Sequence, residues 1–265
     1  MKKLLFTILL LPLLVLGQED LLSELEAGVE VDNTVSSAFK GLKIVNFEST
    51  KLAGKKDLFF IVSHRFGTVK NGFDDLFGLD NAVTQLKFIY GITEGINIGV
   101  ARSSFQKKYG IHAKYRLVQQ ENDGFPFTIV GYNLVTINTS LDKDLLPKLE
   151  FADRVNYVNQ ILISRKFSED FSFLIAPTHV QENLATRSFV EISDTEFENY
   201  DEENNQFAVG VGGRYKLTKR WSLNMDYGIH LNRNSNSIFK NPLSIGVDLE
   251  TGGHVFQMHF TNAQA

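Results

Sequence analysis

The chain has no cysteine. That excludes disulfides, thiolate metal sites and a cysteine nucleophile, and it excludes a lipid anchor attached through an N-terminal cysteine. Proline is scarce, at 5 of 265 residues. Neither sign of charge dominates: 27 Lys and Arg against 31 Asp and Glu leave a formal −4. No nucleic-acid partner is expected, because there is no basic excess to neutralise phosphates. Beyond the N-terminus, no apolar run approaches the ~18 residues that a membrane helix needs. What the chain does have is phenylalanine, 22 residues, with 8 Tyr and 1 Trp. Phe richness with little Pro favours strands over linkers.

Lys2 and Lys3 precede an apolar run from Leu4 to Leu16, which ends at Gly17. A basic start, an apolar stretch of this length and a small residue at its end predict a secretory signal, cleaved after Gly17 with Val15 at the −3 position. A retained anchor is the alternative, but the run is short for a span. The expected organisation is a signal peptide at 1–17, an N-terminal segment at 18–50 and a main domain at 51–265.

The remainder alternates. "TQLKFIY" sets Leu86, Phe88 and Tyr90 against Gln85 and Lys87. "WSLNMDYGI" sets Trp221, Leu223, Met225, Tyr227 and Ile229 against Ser222, Asn224, Asp226 and Gly228. A period of two marks a strand whose faces meet unlike surroundings. Two segments, 57–67 and 154–167, carry apolar residues on both faces near their middles. Either a lumen plugged by side chains or a sandwich core would explain them. A tight-turn pattern recurs three times, leaving through Ile96, Phe171 and Trp221.

Eleven strands are predicted, near 57–67, 82–92, 95–104, 108–118, 125–139, 154–167, 170–180, 206–217, 220–231, 242–250 and 253–260. Every second connection is short, and the others, except 105–107, are long. Short turns at one end and long loops at the other describe an all-β, antiparallel up-and-down transmembrane barrel. A soluble sandwich has no reason for that asymmetry. Tyr90, Phe171 and Trp221 then belong to a lipid-facing aromatic girdle beside the short turns. Such barrels have an even strand count. About twelve strands are therefore expected, with a last strand missing from the chain. Alternatively residues 40–49 supply the twelfth, which would reverse the side of the short turns.

The blocks "FIVSHRFG", "LFGLDNA" (76–82), "YGITEGINIGVARSS" (90–104), "VNYVNQILISRKFS" (155–168), "VGGRYKLTKRWSLNMDY" (211–227) and "LSIGVDLETGGHVFQMHFTNAQ" (243–264) resemble an uncharacterised outer-membrane β-barrel family of the Bacteroidota, a domain of unknown function. The resemblance covers nearly everything after about residue 35. It implies the fold and the location and brings no catalytic residues. Relatives it points to continue past "HFTNAQ" with another aromatic strand.

No catalytic, cofactor or metal site emerges. His64, His112, His179, His230, His254 and His259 form no helical ligand pair. Ser63 and His64 are strand neighbours, so they point to opposite faces and cannot share a proton. The acidic stretch Glu191, Asp194, Glu196, Glu198, Asp201, Glu202 and Glu203 lacks the spacing of a calcium loop and reads as a solvated extracellular loop. The loop 66–82 reads as one that folds into the barrel mouth or meets a partner. The predicted lumen-facing charges are Arg65, Lys87, Lys114, Arg116, Arg214, Lys216, Asp226, Asp248 and Glu250. They suit either a selectivity ring in a narrow pore or a salt-bridged lumen that closes a small barrel. The expected function is a passive pore or small-molecule transporter. A structural or interaction barrel with a plugged lumen is the alternative, and a lipase-type enzyme is the least favoured reading. The expected partners are outer-membrane lipid and the barrel-assembly machinery.

Overall fold

Alternating residues and tight turns fold this chain into one antiparallel sheet of 11 strands. The computed structural model describes residues 33–263, apart from 186, 194, 195 and 238. The expected signal peptide lies outside the described residues. The strands are β1 (Leu58–Phe66), β2 (Ala82–Thr93), β3 (Ile96–Ser103), β4 (Lys108–Val118), β5 (Thr128–Asn138), β6 (Val155–Lys166) and β7 (Phe171–Glu182). A separate two-stranded hairpin, β8 (Arg187–Ser193) and β9 (Glu196–Asp201), interrupts the order. The sheet resumes with β10 (Asn205–Lys216), β11 (Trp221–His230), β12 (Leu243–Thr251) and β13 (His254–Thr261). Each strand of the sheet pairs with its neighbour in sequence, except that β7 pairs with β10 across the hairpin. This is a barrel-like, up-and-down meander. Among the described residues no ladder joins β1 to β13.

Alternation decides the faces. On β11, Ser222, Asn224 and Asp226 are buried while Trp221, Leu223, Met225 and Ile229 are exposed. On β2, Lys87, Ile89 and Gly91 are buried between the exposed Leu86, Phe88, Tyr90 and Ile92. The outer face is thus a belt of apolar side chains, with Phe60 and Phe88 stacked at 4.7 Å across β1 and β2. In water so broad a patch would be strongly unfavourable.

The inner face is covered by residues 35–54. Phe39, Ile44, Val45 and Leu52 of this segment pack with Val130, Tyr132, Leu162, Leu174 and Ala176 of β5, β6 and β7. Leu42 and Ala53 pack with Ile89, and Phe59 and Ile61 of β1 lie against that group. This corrects the expectation that residues up to 50 stand outside the barrel. It also corrects residues 40–49 as a barrel strand: the segment makes one bridge, Lys43 to Glu48, and joins no ladder of the sheet. The apolar residues found on both faces of 57–67 and 154–167 are explained by the same packing.

The acidic stretch is likewise more than a loop. β8 and β9 pair from Arg187 opposite Asp201 to Glu191 opposite Phe197. Residues Val69–Gly78, in the predicted mouth loop, form kinked 3-10 turns that are mostly exposed.

Candidate functional site

The inner segment enters and leaves at the short-turn end. Val35 N–H donates to Gln120 O at 2.8 Å, and Lys166 Nζ donates to Ser36 Oγ at 2.8 Å. At the far end of the segment, Lys56 N–H donates to Gly91 O at 2.8 Å. Between these ties the chain turns back on itself. Ile44 N–H donates to Phe47 O at 2.8 Å, and Ser49 N–H donates to Leu42 O at 3.0 Å. The result is a tight loop whose tip, Val45–Asn46, points into the sheet.

Glycines on the inner face admit this loop. A Cβ on Gly91 would sit 1.9 Å from Gly54 O, and one on Gly212 would sit 2.5 Å from Ile44 Cδ1. Backbone or side chain approaches so closely there that only hydrogen fits.

Two polar anchors hold the loop. The first is the Asp226 carboxylate. Its Oδ2 accepts three successive backbone N–H groups, from Val45 at 3.1 Å, Asn46 at 2.7 Å and Phe47 at 3.0 Å. Successive amides turned toward one anion form a concave nest of partial positive charge. The second anchor is Glu48. Its Oε2 lies 2.8 Å from Lys114 Nζ and its Oε1 lies 3.4 Å from Lys87 Nζ and 3.7 Å from Lys43 Nζ. Lys114 Nζ also donates to Leu42 O and Ser49 O, each at 3.1 Å. Burial pushes the Glu48 carboxyl up, but the charges of Lys114, Lys87 and Lys43 outweigh it and hold it well below its ordinary value. Glu48 belongs to the inner loop and to no strand, so the carboxylate that balances these wall lysines is supplied by the loop.

The nine predicted inward charges sort by partner. Arg65, Lys87, Lys114, Asp226 and Glu250 bind the inner segment; Glu250 does so through Lys40 at 2.6 Å, and Arg65 Nη2 through Asn46 Oδ1 at 2.5 Å. Asp248 accepts from Gln257 at 2.9 Å. Arg116 and Lys216 lie at the short-turn end, near Glu94 O at 2.9 Å and Asp170 at 3.9 Å. Arg214 is buried in the field of Asp248 and Glu250. The arrangement is neither a bare ring nor a set of wall-to-wall pairs, because most of these charges meet residues 40–49. Tyr90, Phe171 and Trp221 are exposed on the outer face.

Glu48, Asn46 and the turn Ile44–Phe47 were missed by the sequence reading. The available signal was indirect: inward glycines on β2, β10 and β11 opposite large outward residues, which imply that something approaches the wall. The histidines are dispersed. His112 packs its ring 5.5 Å from Tyr132, His64 meets Thr84 Oγ1 at 3.1 Å on the outer face and His179 meets Asn205 at 3.0 Å.

No curated protein matches the chain. Among solved structures, a NanC porin in a rhombohedral crystal form is similar with a TM-score of 0.46 and 10% identity, covering 73% of this chain and 80% of that one. A family model described as a membrane bound beta barrel domain matches residues 39–265, which takes in the inner segment from Phe39 as well as every strand of the sheet. On that match the chain belongs to the family of membrane-bound β-barrel domains called DUF5777.

Proposed function

We propose that the protein is an outer-membrane barrel of pore type whose lumen is held shut by residues 35–54 of its own chain, and that it is not an enzyme. The observation that carries this reading is the double anchorage of the loop, Glu48 on Lys87 and Lys114 and the 45–47 amides on Asp226. A buried ion cluster is costly to break, because removing one partner strands a charge at about 3–5 kcal/mol. The closed state is accordingly the resting one, and any solute flux follows displacement of the loop. The aromatic residues beside the short turns support an outer-membrane setting with those turns on the periplasmic side. Assembly there would use the barrel-assembly machinery.

Planar-bilayer recording tests the reading. The native protein is expected to be silent. A variant with residues 37–52 replaced by a Gly/Ser chain of equal length is expected to pass ions. Steady conductance from the native protein would sink the closed-lumen reading. Silence from both forms would favour the second reading, a structural or interaction barrel, which the same anchorage also supports.

A further inference from the structure

Among the described residues, β1 pairs with β2 alone and β13 with β12 alone. Both run from the short-turn end toward the long-loop end, so a direct ladder between them would be parallel in a sheet whose pairs are all antiparallel. What crosses this seam is the inner loop. Asn46 Oδ1 accepts from Arg65 Nη2 of β1 at 2.5 Å. Asn46 Nδ2 donates to Ser244 Oγ of β12 at 2.8 Å and to Thr261 Oγ1 of β13 at 3.0 Å. Gln257 Nε2 of β13 donates to Ile44 O at 3.1 Å. Asp226 of β11 fixes the same turn through its backbone. Arg65 also reaches His259 of β13 directly.

We propose that the turn Lys43–Phe47 is a clasp: it joins β1 to β12 and β13 through side chains, where no ladder joins β1 to β13 among the described residues. The chemistry suits an asparagine. Arg65 can only donate, so it needs an acceptor, which the Asn46 amide oxygen provides, while the amide N–H groups donate to the two hydroxyl oxygens. A carboxylate of the same size has no donor, and an aliphatic residue has neither. The clasp does not depend on whether the lumen conducts, so it stands or falls apart from the closed-pore reading.

Hydrogen exchange on the full chain in bilayers tests it. Asn46→Ala removes three side-chain bonds and leaves the 45–47 amides on Asp226. It is expected to speed exchange in β1 and β13 by roughly tenfold or more, given the worth of two or three such bonds, while β5 and β6 keep their native rates. Thr50→Val removes a bond of 2.6 Å from the same segment to Ser164 of β6, away from the seam. It should leave β1 and β13 unchanged. Thr261→Val, which removes one acceptor, gives a second measurement should Asn46→Ala fail to assemble. A smaller rise confined to β1 and β13 supports the clasp. Native rates in β1 and β13, a uniform rise in every strand, or an equal effect from Thr50→Val would overturn it.

Discussion

At position 212 one methyl group separates a wall that admits the inner loop from a wall that rejects it. A Cβ there would lie 2.5 Å from Ile44 Cδ1, and one on Gly210 beside it would lie 2.9 Å from the Phe47 ring. Gly212→Val should destabilise the protein by about 1–3 kcal/mol through overpacking. Combined with Ile44→Ala, part of that cost should be recovered, because the smaller side chain vacates the space. Denaturation of the purified protein in detergent, run as a double-mutant cycle, measures the coupling. Strictly additive costs would mean that Ile44 does not sit over this glycine. The inward direction of Lys114 and Asp226 was legible from a period of two. Their partners were not, because Glu48 and the 45–47 amides lie 66 residues and about 180 residues away in sequence.

At the scale of the element, strand position followed from local pattern with little error. The predicted 108–118 and the observed Lys108–Val118 coincide, and 57–67 differs from Leu58–Phe66 by one residue at each end. Alternation is a local property, and each outward apolar residue repeats it. On β11, Leu223→Arg should cost about 2–4 kcal/mol of folding into lipid if it lies near the midplane. Ser222→Ala, on the inner face, should cost under about 1 kcal/mol, since it adds neither charge nor bulk to a buried position. Refolding into vesicles at increasing denaturant compares them, and equal costs would reverse the assignment of the faces. The hairpin β8–β9 escaped prediction for a physical reason. Its acidic composition suits solvated loop as well as solvated strand, and charge alone does not separate the two.

For the molecule as a whole, topology sets which end is reached from outside. Trypsin added to intact cells should cut after Lys143, which lies in an exposed stretch of the long connection between β5 and β6. It should spare Lys219 and Arg220 in the short turn between β10 and β11. Fragments separated by mass spectrometry report the sites, and external cleavage at 219–220 would invert the proposed orientation.

The sequence by itself determined the eleven strands of the main sheet, their order, their two faces and the contrast between short and long connections. All of these depend on residues within about a dozen positions of one another, and each hairpin needs only its own turn and its own alternation. Only the tertiary structure decided what fills the inside. Residues 35–54 carry no strong local pattern, and their place depends on glycines at 91, 210, 212 and 228 and on charges at 87, 114 and 226. Those positions are scattered along the chain and become one surface only when the sheet curves. The seam is decided in the same way: Arg65 and Thr261 are remote in sequence, and folding brings both to the side chain of Asn46.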